Sequence, residues 1–155
     1  MRVLIAERKG ALQVRDGRID FSQALRVGTV FIATAPLDAS TRNMIAAPEL
    51  ATINSTALIV NVGRGGVINE ADLAQALKDG KLAGAATDVF EQEPASRETS
   101  PLLDPDVPNL VLSPHIAWYS SKTIEGTIAT VKANLEAFVK GSPIHVVVSG
   151  TRGLE

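Results

Sequence analysis

Short apolar runs punctuate the chain at Val3–Ala6, Val30–Ala33, Ala57–Val62, Ala83–Thr87 and Leu110–Leu112. Each is of strand length, and most are apolar on successive residues instead of alternating. That pattern predicts strands covered on both faces, as in a parallel sheet. Helical periodicity appears between and after them. Over Glu70–Lys78, Leu73, Ala74 and Leu77 share one stripe, and Gly80 ends the element. From about Lys122 to Lys140, Ile124, Ile128, Val131, Leu135 and Phe138 recur at spacings of three or four, until Gly141-Ser142-Pro143 stops the helix. Alternation of strand and helix predicts an α/β, doubly wound sheet. The interval from Glu93 to Pro108 holds four prolines (Pro94, Pro101, Pro105, Pro108) and predicts a long loop.

Composition narrows this picture only slightly. Of 155 residues, 45% are hydrophobic and 21% charged, ordinary for a globular chain long enough to bury a core. A net charge of −2 leaves no electrostatic footprint for nucleic acid or an acidic membrane. No stretch reaches the roughly 18 consecutive apolar residues of a membrane helix, and Glu7-Arg8-Lys9 cuts the first apolar run too short for a signal peptide. The absence of cysteine excludes disulfides and thiolate metal sites and fits a cytoplasmic setting. Residues 149–155 follow no pattern and read as a tail or cloning scar.

Three constellations could carry chemistry, and each follows an apolar run. In Asn61-Val62-Gly63-Arg64-Gly65-Gly66 the glycines permit a sharp turn at the carboxyl end of a strand, where open α/β sheets bind ligands. Arg64 is either a solvated loop arginine or a fork suited to a carboxylate. In Asp88-Val89-Phe90-Glu91-Gln92-Glu93-Pro94, Glu91 reads as solvated, whereas Asp88 and Glu93 sit at a strand end or against a proline-fixed turn. In Ser113-Pro114-His115-Ile116-Ala117-Trp118, proline stiffens the approach to one of only two histidines. His115 suits proton transfer near neutral pH, although a lone histidine is more often structural. His145, within Ile144–Val148, reads as structural or incidental.

Taken in order, NVGRGGVINEADLAQALKDGKLAGAATDVFEQEP and LSPHIAW resemble the signature run of the D-isomer-specific 2-hydroxyacid dehydrogenases. Trp118 after His-Ile-Ala looks most like the glycerate dehydrogenase and hydroxypyruvate reductase branch. The resemblance runs from Met1 to about Val148. It implies that Arg64 binds the substrate carboxylate, that His115 exchanges a proton with the carbonyl oxygen, and that Glu93 orients the imidazole and favours its protonated form. Asp88 would meet the nicotinamide carboxamide, and Ala35, Val62, Gly63 and Arg64 would line the dinucleotide. His115, Ile116, Ala117 and Trp118 would close over its nicotinamide end. Glu7 falls where an acidic residue usually takes the adenosine ribose hydroxyls, favouring NAD over NADP. Arg8 and Lys9 beside it could still accommodate a 2′-phosphate. The substrate implied is a small 2-keto or 2-hydroxy acid, such as hydroxypyruvate or glyoxylate.

One expected motif does not occur in these residues: there is no G-x-G-x-x-G. In the family it precedes the segment equivalent to Met1–Glu7, together with the sheet's central strand. The expectation is therefore an incomplete Rossmann-type sheet, lacking its first β-strand and phosphate-loop helix. Residues 1–120 would form a partial NAD-binding domain, and 121–148 a terminal helix and tail that rejoin the substrate domain. Two half-sheets with unpaired edges would result, predicting a homodimer or higher self-association and weak dinucleotide binding by these residues alone. An alternative from another class is an NAD-sensing, non-enzymatic binding module like the dehydrogenase-related corepressors. A formate dehydrogenase-like enzyme is disfavoured by the carboxylate at Glu93.

Overall fold

Four short strands form one all-parallel sheet in the order β1-β2-β3-β4: β1 Val30–Ala33, β2 Leu58–Asn61, β3 Gly84–Thr87 and β4 Leu110–Leu112. These are elements of a computed structural model, which describes residues 2–147. The tail expected over 149–155 lies outside the described residues. Two compact units divide between Ile116 and Ala117.

Parallel neighbours need crossovers, and the connections supply them. Helix α1 (Phe21–Val27) leads into β1; its N-cap is Asp20, whose side chain accepts from Gln23 N, and Gly28 closes it. The short α2 (Ala47–Leu50) joins β1 to β2, and α3 (Glu70–Lys78) joins β2 to β3. Asn69 caps α3 by accepting from Asp72 N. The proline-rich interval is a loop as expected, except for one 3-10 turn at Pro101–Leu103, capped by Ser100. Helix α3 packs against both α2 and that turn.

The core lies on one face of the sheet. Register sets Phe31, Ile59, Ala85 and Leu110 in one row, packed with Leu50, Leu73, Leu77 and Leu102. The row one residue on, Ile32, Val60, Ala86 and Val111, points to the other face, where Ile32 is 61% and Val111 68% exposed. Strands covered on both faces were expected. In the first unit the helices that pack on the sheet cover one face, so continuous apolar runs meet a one-sided core.

A second correction concerns Val3–Ala6, which is not a strand. It makes a single bridge, Ala6 to Ile19, through Glu7 N to Ile19 O at 2.8 Å and Ile19 N to Ile5 O at 2.9 Å. Val3 and Ile5 stay 74% and 56% exposed. An apolar run becomes a strand only where a neighbouring strand extends the ladder. The two expected half-sheets are thus one sheet plus a loop-like leading segment.

The second unit contains α4 (Ser121–Val139), capped by Ser120, which accepts from Thr123 N. Ile128, Val131, Leu135 and Phe138 are exposed along it. His145 Nδ1 lies 2.9 Å from Asn134 Oδ1. Among the described residues, no helix is long and apolar enough to cross a membrane.

Candidate active site

The carboxyl ends of β2, β3 and β4 release three loops that interlock. Past β2, Asn61 is buried in an apolar strand and uses its side chain on the turn that follows. Its Nδ2 donates to Arg64 O at 3.1 Å, and its Oδ1 accepts from Gly63 N at 3.2 Å. Arg64 is thereby held at the rim, exposed, with one guanidinium nitrogen donating to Gly63 O. Gly65 has a steric reason: a Cβ there would lie 1.9 Å from the backbone carbonyl of Phe90. The Arg64 turn and the loop past β3 meet backbone to backbone.

Past β3, Thr87 Oγ1 donates to Val89 O and Glu93 Oε1 accepts from Phe90 N at 2.9 Å. A buried carboxylate, Glu70, reinforces the loop from the first turn of α3 by accepting from Glu91 N and Ser100 Oγ. Glu91 is exposed as expected, and it pairs with Arg42 at 2.6 Å.

Past β4, Asp88 grips the turn that carries His115. Its buried carboxylate accepts from Ser113 Oγ and, at 2.9 Å, from Ile116 N. Its carbonyl accepts from His115 N at 2.8 Å. These bonds hold His115 at φ 56, the left-handed region that is strained for a side-chain-bearing residue. The imidazole Nδ1 then meets Glu93 Oε2 at 2.7 Å, across 22 residues of sequence. That bond, with the one from Phe90 N and the nearby charge of Arg64, holds the Glu93 carboxyl below the usual carboxylate range. Beside the pair opens a cavity of about 570 Å³, walled by Phe90, Pro94, Leu103, Leu112 and Pro114.

Of the residues singled out from sequence, Glu93 and His115 touch, Arg64 lies within electrostatic reach of Glu93, and Asp88 organises the His115 turn. Gly63, next to Val62, packs close against the backbone of Thr34 and Ala35. A Cβ on Gly63 would come 2.8 Å from Ala35 O, while Val62 is 41% exposed. Ile116 is exposed; Ala117 and Trp118 belong to the second unit, where Trp118 meets Tyr119 edge-on. Glu7 is not an open acceptor, because Arg15 holds it. Sequence reasoning missed Glu70, Ser100, Ser113 and Arg15 as site-shaping residues. Only Asn61 carried a signal, a polar residue inside an apolar run.

A family model described as "D-isomer specific 2-hydroxyacid dehydrogenase, NAD binding domain" matches residues 1–117. The chain belongs to this family. Among curated relatives, the glycerate dehydrogenase of Methylorubrum extorquens is 41% identical over 133 residues, 86% of this chain and 42% of that protein. Among solved structures, an NADPH-dependent glyoxylate/hydroxypyruvate reductase from Sinorhizobium meliloti, in complex with NADP and sulfate, is 29% identical. Its TM-score is 0.72, over 93% of this chain and 46% of that one. A D-isomer specific 2-hydroxyacid dehydrogenase from Lactobacillus delbrueckii, in its NAD complex, gives a TM-score of 0.71 at 25% identity. That match covers 84% of this chain and 43% of the other. The chain spans under half the length of these curated relatives.

Proposed function

We propose that the chain supplies the nucleotide-side half of an active site that interconverts D-2-hydroxy acids and 2-keto acids, hydroxypyruvate or glyoxylate among them, with NAD(H). The observation that carries this reading is the 2.7 Å contact of Glu93 with His115 Nδ1 beside the Arg64 turn. Engagement of Nδ1 assigns proton exchange to Nε2. In reduction, Nε2 delivers its proton to the carbonyl oxygen while the carbonyl carbon accepts a hydride. When bound, the nicotinamide supplies that hydride. Glu93 fixes the ring's orientation and its Nδ1–H form. Arg64, exposed on the turn past β2, offers a fork for the substrate carboxylate.

Cofactor contact is assigned to Ala35, Val62, Gly63 and Arg64, with His115, Ile116, Ala117 and Trp118 over the nicotinamide. Asp88 contributes by holding the His115 turn. The pyrophosphate-binding motif does not occur within these 155 residues, so we assign turnover to a longer protein in which residues 1–120 complete a nucleotide-binding domain and 121–148 rejoin a substrate domain. The open edge of β1 and the exposed Val30, Ile32 and Val111 support self-association, with a homodimer as the simplest form. The setting proposed is the cytoplasm.

Two measurements test this. Loss of nicotinamide absorbance with hydroxypyruvate or glyoxylate should be seen in the longer protein, and His115→Asn should slow it by about 100-fold or more. An unaltered rate in the variant sinks the reading. For the 155-residue chain, calorimetry should show weak NADH binding at most; micromolar affinity would overturn that part.

A further inference from the structure

The first residue of α3 carries a carboxylate that the reaction does not touch. Glu70 is 8% exposed, and both of its oxygens are engaged by another part of the chain. Oε1 accepts from Glu91 N at 2.6 Å, and Oε2 accepts from Ser100 Oγ. The two donors stand at the entry and the exit of the proline-rich loop, on either side of Glu93 and Pro94. A single side chain therefore pins both ends of segment 91–100 to the start of α3. Helix chemistry alone does not account for it. An acidic residue in a first turn needs only to lie near the free N–H groups, and Asp72 already does so.

Each end bears on the contact between Glu93 and His115. At the entry, the amide that Glu70 holds follows directly on Phe90 N, which donates to Glu93 Oε1 at 2.9 Å. The Arg64 turn presses on the same peptide: a Cβ on Gly65 would lie 2.3 Å from Glu91 N. At the exit, Ser100 is 2% exposed, and its Oγ also accepts from Leu102 N at 3.3 Å. That bond starts the 3-10 turn whose Leu103 lines the cavity together with Glu93. Between the ends, Ser96 O accepts from Thr99 N and Ser100 N, which takes up the slack of the loop. The Glu93 side chain is 35% exposed, so packing alone does not fix where its carboxylate stands.

We propose that Glu70 is a positioning residue for proton exchange: by clamping segment 91–100 at both ends, it holds the Glu93 carboxylate against His115 Nδ1. The proposal rests on the roles given above to Glu93 and His115 and adds the group that places them. A buried carboxylate suits the task because its two oxygens can serve two donors from different turns at once, and a buried N–H or hydroxyl left without its acceptor is costly.

Glu70→Asp tests it, because aspartate keeps an acidic residue in the first turn but is one methylene too short to reach both donors. The readout is the Glu93 carboxyl carbon, followed by NMR across acid pH in the 155-residue chain. In the parent it titrates below the ordinary 4.5, chiefly through the bond to His115. In Glu70→Asp its midpoint should rise toward 4.5. Asp20, lowered by Ser22 at the cap of α1 and outside the clamp, should keep its midpoint. Ser100→Ala removes one arm and should move Glu93 the same way by less; it carries the test if Glu70→Asp fails to fold. An unmoved Glu93 in the folded variants overturns the proposal. So does a joint shift of Glu93 and Asp20, which would mark a general loss of stability. In the longer protein, Glu70→Asp should lower kcat about tenfold with KM for the keto acid within about threefold. In a Glu93→Gln background it should have no further effect on kcat, and full additivity of the two substitutions overturns the proposal. A longer protein without turnover of hydroxypyruvate or glyoxylate sinks the functional reading instead, and the Glu93 titration still decides the placement.

Discussion

The loop cluster past β2, β3 and β4 and the leading segment before α1 are built from similar residues, apolar runs followed by charged turns. They reach opposite states. In the cluster, Asn61 braces its own turn, and buried carboxylates join loops far apart in sequence: Glu70 to Glu91 and Ser100, Asp88 to Ser113 and Ile116. In the leading segment one bridge and the ion pairs of Glu7 with Arg15 and of Lys9 with Glu49 constrain a chain whose apolar side chains remain exposed. A parallel strand needs neighbours before its sequence matters. Where the ladder exists, strand ends become fixed platforms for loops; where it does not, local charge pairing decides the shape.

The contrast yields a graded set of expectations. Gly65→Ala should be the most damaging, because the added Cβ runs into the Phe90 backbone and neither loop can yield alone. A loss of about 3 kcal/mol in urea unfolding is expected, and a near-neutral result would mean the two loops are not locked. Asp88→Ala removes the acceptor for Ser113 Oγ and Ile116 N and should lower stability by about 2 kcal/mol. It should also broaden the His115 ring signals in NMR as the turn relaxes from φ 56. Glu70→Ala leaves Glu91 N and Ser100 Oγ without their acceptor, at a cost of about 1–2 kcal/mol by the same measurement.

Glu93 gives a smaller, pH-dependent effect. Its folded-state pKa lies below the ordinary 4.5, through the bonds from His115 and Phe90 N. Its contribution is therefore complete above pH 4.5 and disappears as pH falls through the lowered folded value. With about a third of the side chain exposed, solvent screening keeps it under about 1 kcal/mol. Acid titration of stability in Glu93→Gln should be flatter than in the parent across that window; parallel curves would contradict the assignment. Least of all, Val3→Thr in the leading segment should stay within about 0.5 kcal/mol. A larger loss would show that this run is buried after all.

Much of this organisation was legible beforehand. Helix α3 ends where periodicity and Gly80 place it, and four of five apolar runs became strands. Helices α1 and α2 were not foreseen, because seven- and four-residue elements are too short to display an apolar stripe. The contact of Glu93 with His115 could be inferred only by resemblance, since no local rule relates residues 22 apart. The role of Glu70 was hidden for a similar reason: at the first turn of a helix an acidic residue is already explained by the dipole.

Residue order was enough to settle the periodic elements, the glycine turns and the side chains available for chemistry, because those depend on neighbours within a few positions. Which apolar runs pair, which face of the sheet is covered and which carboxylate meets which cation depend on contacts across tens of residues. Glu7 shows the difference most clearly. Its place at the end of an apolar run suggests an open ribose acceptor, yet a guanidinium eight residues away fills its lone pairs in the folded chain.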